Sequence, residues 1–116
     1  MSRKAEINLY VELDDKKIPK KLSWNATDAD VGTPQNCKAF LLNLWDTDSK
    51  QALSMHLWEN TMSIEEMNDF VFQSMVQIAD TFEKATNQKI LAEKIRSTAL
   101  EIWELAKESG TNEVKK

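Results

Sequence analysis

The fold of this chain is decided within residues 39–67, AFLLNLWDTDSKQALSMHLWENTMSIEEM, where one hydrophobic period gives way to another. Up to Asn60 apolar residues alternate with their neighbours, as in a half-buried strand, and beyond it they recur every three to four residues, as in an amphipathic helix. The same segment contains the pair Leu-Trp twice, at residues 44–45 and 57–58. The sequence therefore predicts strands before this point and helices after it.

The first part of the segment predicts a β-hairpin. The simplest register sets Leu44 opposite Leu53 and closes a tight loop around residues 48–49. In that register Trp45 and Trp58 fall on one face, near opposite ends of the ribbon, and each Leu-Trp pair is split across the sheet. Six apolar residues fall on the other face, which we expect to face the core: Phe40, Leu42, Leu44, Leu53, Met55 and Leu57.

Two further strands are predicted upstream of the hairpin. Residues 5–14, AEINLYVELD, alternate strictly between apolar and polar, and in residues 21–27, KLSWNAT, Leu22, Trp24 and Ala26 share one face. The Asp-, Gly- and Pro-containing segment DADVGTPQN at residues 28–36 predicts a longer connection. We therefore expect a four-stranded antiparallel sheet over about residues 5–60.

Two helices are predicted after the sheet, over about residues 63–86 and 88–109. Ser63 and Glu66 form a capping box at the first helix start, and TNQ at residues 86–88 marks a break. Gly110 fits the position just past the end of the second helix, which leaves residues 111–116 as a frayed tail. The order of elements predicts an α+β fold in one domain, residues 1–116, with both helices packed on one face of the sheet.

Each predicted helix carries two neighbouring apolar stripes. An apolar arc this wide serves two contacts, here the sheet and another helix or subunit. In the first helix the stripes are Ile64, Met67, Val71, Met75, Ile78, Phe82 and Ala85, beside Phe72, Val76 and Ala79. In the second they are Leu91, Ile95, Thr98, Ile102 and Leu105, beside Ala92, Ala99, Trp103 and Ala106.

Composition narrows the function classes. The 116 residues carry a formal net charge of −4, which argues against a nucleic-acid partner because phosphate binding relies on a basic patch. No apolar run is long enough for a transmembrane helix, and the N-terminal residues lack the apolar core of a secretory signal, so we expect a cytoplasmic protein without membrane insertion. The single cysteine, Cys37, cannot form an internal disulfide.

The sequence contains no recognisable catalytic pattern. His56 is the single histidine, and the sequence places neither a nucleophile nor an orienting group beside it. Three pairs of aspartates fall in predicted turns, where aspartate caps its own backbone: Asp14 and Asp15, Asp28 and Asp30, Asp46 and Asp48. We therefore expect no catalytic, cofactor-binding or metal-binding residues, and a protein that is not an enzyme.

A set of large side chains remains as a candidate interface. Exposed apolar patches often mark association sites, and several of these residues lie opposite the predicted core face. The alternative is a bulge near Ala39 or Ala52, which would invert the facing of one strand. The candidate interface residues are Tyr10, Leu41, Trp45, His56, Trp58, Phe72 and Trp103.

Three segments carry a resemblance to a known family. LSWNATDAD, KAFLLNLWD and ALSMHLWENTMSIEEMNDFVFQSMVQIADTFEKAT resemble, in order and spacing, the GldC family of gliding-motility accessory proteins of gliding Bacteroidetes. The similarity covers about residues 5–87, and beyond Gln88 only a helical pattern is recognised. The resemblance implies a small, cytoplasmic, non-catalytic protein that assists the gliding apparatus through protein partners, and we expect a homo-oligomer.

Architecture alone suggests an alternative. Four antiparallel strands followed by two helices are similar in order to SecB-like export chaperones, which present apolar grooves to unfolded clients. An order of elements is shared by unrelated proteins, so this similarity concerns the fold. The two hypotheses are therefore a gliding-motility accessory protein and a cytoplasmic export chaperone.

Overall fold

The computed structural model describes residues 3–27 and 31–113. Within them the chain divides between Met62 and Ser63 into two compact units, one of strands and one of helices. The predicted α+β class, with strands preceding helices, is confirmed, whereas the single domain stays a prediction. The elements are β1 (Ile7–Leu13), β2 (Pro19–Ala26), β3 (Val31–Cys37), β4 (Ala39–Asp46), β5 (Gln51–Trp58), α1 (Ile64–Thr86) and α2 (Lys89–Glu113).

The strands form two antiparallel sheets, and the prediction of one four-stranded sheet is therefore wrong. The first sheet has the order β1-β2-β3 and the second pairs β4 with β5. A single residue, Lys38, separates β3 from β4. The chain thus passes from one sheet to the other at a bend, without a loop that the sequence could have marked.

The strand β3 replaces the greater part of the connection predicted for residues 28–36. Trp24 of β2 lies opposite Gln35, and the register shifts just beyond this pair. Pro34 is tolerated because β3 is an edge strand, where a missing N–H does not interrupt a ladder. Residues 28–30, and with them the Asp28 and Asp30 pair, lie outside the described residues.

The pairing of β1 with β2 confirms the predicted faces. Val11 lies opposite Leu22, which is fully buried and contributes the largest side chain of the described core. On the other face the side-chain amide of Asn8 donates to Oδ1 of Asn25 at 3.0 Å. This sheet therefore has one apolar and one polar face, as the alternation of its residues predicts.

The residues after β5 tie the two sheets together. The N–H of Glu59 donates to the carbonyl of Lys38 at 2.7 Å, and that of Asn60 donates to the carbonyl of Pro19 at 3.1 Å. The Glu59 carboxylate accepts the main-chain N–H of Leu22 at 3.1 Å. The main-chain N–H of Leu22, a buried residue of the first sheet, thus has its acceptor in the side chain of Glu59, which follows the second sheet.

The β4–β5 hairpin has the predicted register, with Leu44 opposite Leu53. Its loop is held by Asp46, whose carboxylate accepts the Ser49 N–H at 2.8 Å and whose carbonyl accepts the Lys50 N–H at 3.0 Å. The Ser49 N–H bond holds the pKa of the Asp46 carboxyl below its ordinary value. Lys50 adopts a left-handed φ of 55°, and the loop closes without glycine.

The face of this hairpin that was expected to face the core is largely accessible. Leu44 and Met55 are 56% and 54% exposed, and only Phe40 and Leu57 are half-buried. The hairpin therefore presents apolar side chains on both of its faces.

Helix α1 begins at the predicted capping box. Oγ of Ser63 accepts the N–H of Glu66, and a Glu66 carboxylate oxygen accepts the N–H of Ser63, each at 3.0 Å. The helix ends at Thr86, and Asn87 takes a left-handed φ of 57° while its N–H donates to the carbonyl of Glu83 at 2.7 Å. Asparagine thus supplies the helix stop that glycine more often provides.

Helix α2 runs past its predicted end. Gly110 lies within the helix, and the helix continues to Glu113, so the prediction of a C-terminal stop at this glycine is wrong. Glycine costs only about 1 kcal/mol relative to alanine inside a helix. A glycine near a helix terminus therefore favours a helix end there without requiring one. Of the predicted frayed tail, residues 111–113 are helical and residues 114–116 lie outside the described residues.

The two helices form an antiparallel hairpin with a seam of small residues. The Phe72 and Trp103 rings are 5.4 Å apart between centroids, and Nε1 of Trp103 donates to Asp69 at 3.1 Å. Three alanines on the same helical lines, Ala79, Ala92 and Ala99, are fully buried. Small side chains at these positions allow the two backbones to approach closely.

Arg96 closes the seam toward the helix connection. Its Nη2 donates to Asp80 and to Glu83 of α1, both at 2.8 Å, and its Nη1 donates to Glu93 at 3.2 Å. The Asp80 bond, followed by the Glu83 bond, raises the pKa of the Arg96 guanidinium. The cation therefore bridges the two helices.

We expect Glu59→Ala to lower the free energy of unfolding by about 1–3 kcal/mol, because it leaves the Leu22 N–H without its acceptor in a buried position. Urea unfolding followed by tryptophan fluorescence measures this loss. The matched control is Glu12→Ala, which removes an exposed carboxylate 3.9 Å from Lys20 and should change the value by no more than about 1 kcal/mol. Equal losses for the two variants would contradict the role of Glu59.

We expect Ser63→Ala to destabilise the start of α1 by about 1 kcal/mol, because the N–H of Glu66 loses its capping oxygen. Amide hydrogen exchange in the first turn measures the local effect, and urea unfolding measures the global one. Ser97→Ala is the control, since Oγ of Ser97 donates back to the Lys94 carbonyl within α2 and alanine is the better helix former. A control as destabilised as Ser63→Ala would contradict the capping box.

Candidate interaction surface

One face of the β4–β5 hairpin gathers most of the predicted interface. The continuous register places eight residues on this side, which we call the tryptophan face: Ala39, Leu41, Asn43, Trp45, Ala52, Ser54, His56 and Trp58. Trp45 is 69% exposed and Trp58 is 53% exposed, and Leu41 between them is 38% exposed. The structure therefore brings together Leu41, Trp45, His56 and Trp58, four of the seven candidate residues.

The pairing across this face leaves both indole rings uncovered. Trp45 lies opposite Ala52, and Trp58 lies opposite Ala39, so neither ring meets a large neighbour directly across the ribbon. Every pair from Ala39 to Asp46 keeps the same register, with no shift. The alternative of a bulge near Ala39 or Ala52 that turns one strand over is therefore wrong.

The other three candidates lie elsewhere. Tyr10 belongs to β1 in the first sheet and is exposed, with its hydroxyl 3.5 Å from Oδ1 of Asn25. Phe72 and Trp103 belong to the helical unit and contact each other in its seam. Packing within the helical hairpin thus accounts for these two rings, a pairing that no local sequence signal indicates.

His56 lies in the middle of the tryptophan face. Leu41 lies directly across the ribbon from it, and its Nε2 is 3.2 Å from Oδ1 of Asn43. Neither neighbour is a nucleophile or a carboxylate. Within residues 3–27 and 31–113, no three His, Cys, Asp or Glu side chains gather as a metal site would require. The geometry therefore assigns His56 to the surface of the ribbon.

A cleft of about 570 Å³ lies at the connection between the helices and is lined by polar residues. It is bordered by Asp80, Glu83 and Arg96, which already bond to one another, together with Lys84 and Asn87. Three of the charged side chains in this cleft, Asp80, Glu83 and Arg96, therefore hold the two helices together.

The helical hairpin has an apolar face of its own. In each helix the stripe that forms the seam lies one residue ahead of a second apolar stripe. Viewed from one end of the hairpin, successive residues rotate clockwise in one helix and anticlockwise in the other, because the helices are antiparallel. With the seam stripes facing each other, the second stripe of each helix therefore lies on the same side of the hairpin. We call the exposed residues of these two second stripes the helical apolar face: Ile64, Val71, Ile78, Leu91, Ile102 and Leu105. The sequence showed both stripes, but only the seam reveals that they join.

Neither α1 nor α2, over the residues that the structure describes, combines the length and apolar character needed to cross a bilayer.

The lone thiol, Cys37, is half-buried at the end of β3. Burial raises the pKa of the Cys37 thiol, and the nearby Glu59 carboxylate raises it further. Both causes disfavour the thiolate, which is the reactive form. The structure thus gives Cys37 the environment of an unreactive thiol.

We expect the native Cys37 thiol to react more slowly with dithiobis-nitrobenzoate at about pH 8 than the thiol of the urea-unfolded chain, whose pKa is the ordinary one. A raised pKa in the folded state also means that stability is fully present below the ordinary pKa and declines as the pH rises above it. Unfolding free energies measured on either side of about pH 9 should therefore fall more for the wild type than for Cys37→Ser. Faster reaction of the native thiol would contradict this environment.

Comparison with known proteins places the chain in a family. No curated protein and no solved structure gives a significant match. A family model described as gliding motility-associated protein GldC-like matches residues 19–108. The match runs from β2 through most of α2. The resemblance is therefore confirmed over residues 19–87 and extends into the second helix, where the sequence shows only a helical pattern. The chain therefore belongs to the GldC-like family of gliding motility-associated proteins.

Proposed function

We propose that this protein is a non-catalytic accessory protein of gliding motility that binds a protein of the gliding apparatus through its tryptophan face. Membership of the family supports a role in gliding motility. The exposure of Trp45 and Trp58 on one face supports binding of a partner at that face. Covering two such rings contributes on the order of 1.5–3 kcal/mol each. Tryptophan is also among the residues that most often anchor protein interfaces.

Several features support a protein partner over other classes. The sequence pI of about 5.0 argues against nucleic acid, and the tryptophan face carries no charged residue. We propose further that the protein acts in the cytoplasm without inserting into the membrane, needs no cofactor, and forms a homo-oligomer. The proposals on location and cofactors rest on the composition of the chain, and the proposed homo-oligomer rests on the exposed apolar side chains of the hairpin.

The alternative function is a holdase chaperone similar to SecB-like proteins. The observation that favours it is the extent of exposed apolar surface, since the opposite face of the hairpin and the helical apolar face are accessible as well. A chaperone of this class suppresses aggregation of an unfolded client when present in excess. No suppression for any of several unfolded clients would exclude this function.

A complementation assay tests the proposed function. In a gliding bacterium that lacks its own family member, the wild-type chain should restore colony spreading, and Trp45→Ser combined with Trp58→Ser should reduce spreading to that of the uncomplemented strain. The physical reason is that serine removes the apolar anchors without changing the strand register.

Leu105→Ser provides the matched control because it removes an exposed apolar side chain from the helical unit. This variant should spread like the wild type, with immunoblots showing equal amounts of all three chains. Full spreading by the double tryptophan variant at normal abundance would overturn the assignment of the tryptophan face. A wild-type chain that does not restore spreading would overturn the proposed role.

A further inference from the structure

We propose that two copies of this chain pair edge to edge through β5, antiparallel about a two-fold axis at Met55, and so build a four-stranded sheet of order β4-β5-β5-β4. The proposal deepens the homo-oligomer part of the proposed function and rests on it. It commits to a second copy of the chain as the occupant of this edge.

The backbone shows which residues of β5 face the free edge. The N–H of Glu59 points to Lys38, at the start of β4, whereas the N–H of the next residue, Asn60, points the other way to Pro19. Because hydrogen-bonding direction alternates along a strand, residues 52, 54, 56 and 58 direct their N–H and C=O groups away from β4. No described strand pairs with this edge of β5.

The sequence of β5 lacks the charged residues and prolines by which proteins often protect an edge strand. Gln51–Trp58 contains no charged residue, no proline and no glycine. In contrast, β3 carries Pro34, and β1 carries Glu12 opposite Lys21. An exposed, apolar, uncharged edge strand is a template for pairing with another strand. The unprotected edge therefore lies in the hairpin and not in the three-stranded sheet.

The residues of β5 complement themselves in one register. An antiparallel pair about a two-fold axis at Met55 sets each Met55 against its copy, Leu53 against Leu57, and Ser54 against His56. At the two ends the small Ala52 meets the large Trp58. Residues 54 and 56 both direct their main-chain groups outward, as hydrogen-bonded partners must. About eight inter-strand hydrogen bonds can form in this register.

The edge of β4 matches itself less well. By the same alternation its residues 39, 41, 43 and 45 face outward, and a two-fold axis at Leu42 would set the apolar Leu41 against the polar Asn43. The strand also ends in a charged residue, Asp46. Cross-strand partners of like polarity are the favourable ones, and β5 supplies them at every position.

The faces of the hairpin are too small to hold two copies together by face-to-face contact alone. Eight residues at about 3.3 Å each, in two strands about 4.8 Å apart, give each hairpin face a footprint on the order of 300 Å². A standard interface buries about 800 Å² on each partner. Edge pairing adds main-chain hydrogen bonds and doubles the tryptophan face, because the two-fold axis places both copies of that face on the same side of the extended sheet.

Site-directed disulfide formation tests the register. In a Cys37→Ser background, mild oxidation of Met55→Cys should link two copies, because a non-hydrogen-bonded pair places the Cβ atoms about 4.5–5.5 Å apart. Leu53→Cys is the matched control on the same strand and face, and its two copies would lie about 13 Å apart along the strand. It should not link to itself, but mixing it with Leu57→Cys should yield a linked heterodimer.

Two edge variants test the dimer itself. Ser54→Pro removes a main-chain N–H that points outward, and Ser54→Lys places a charge at the edge. Light scattering should give the wild type about twice the chain mass of 13.3 kDa and give both variants the mass of a monomer. Circular dichroism should show that both remain folded, whereas Met55→Pro, which removes an N–H directed at β4, should lose the hairpin.

A wild-type chain that stays monomeric at about 100 μM, a concentration at which pairs with a Kd of about 10 μM or tighter are mostly associated, would overturn the proposal. So would a dimer linked through Leu53→Cys alone, or a dimer that persists in both Ser54 variants. These outcomes leave the spreading assay unaffected, so failure of the dimer and failure of the motility role are distinguishable.

Discussion

The pairing of Leu44 with Leu53 is the constraint on which the hairpin and its surfaces depend. Side chains alternate between the faces of a strand, so a slip of one residue would exchange every residue of one face with the other. The Asp46 carboxylate, which accepts the Ser49 N–H at 2.8 Å, holds the loop that maintains this register. Both tryptophans lie on one face because this pairing holds, and the direction of each main-chain group along β5 follows from the same ladder.

The helical unit depends on a comparable constraint, the close approach of two helices over small residues. Ala79, Ala92 and Ala99 are fully buried, which lets Phe72 and Trp103 meet at one end of the seam while Arg96 bridges the other. Because the seam uses one apolar stripe from each helix, the remaining stripes come to lie side by side. Two moderately apolar helices thus produce one broad apolar face, a property of the pair that neither helix has alone.

Local chemistry made the capping box, the Asn87 stop, the hairpin register and the shared face of Trp45 and Trp58 predictable from sequence. The predictions that were wrong concern residues whose structural role depends on their tertiary position. Pro34 indicates a loop unless the strand lies at an edge, and Gly110 indicates a helix end although a helix can accommodate it at small cost. The bend at Lys38 has no local signal, so two sheets could not be distinguished from one. Phe72 and Trp103 lie far apart in sequence, and their contact depends on the antiparallel seam.

The described core is small relative to the apolar content of the chain, and this imbalance bears on function. Of its four fully buried hydrophobic residues, three are alanines and only Leu22 is large. Alanine burial removes little apolar area from water, so most of the hydrophobic free energy of the larger side chains is not realised in these contacts. A surface of this kind is suited to association. A two-fold pairing of β5 would bring two tryptophan faces together, and a partner in the gliding apparatus would then meet four indole rings on one sheet instead of two.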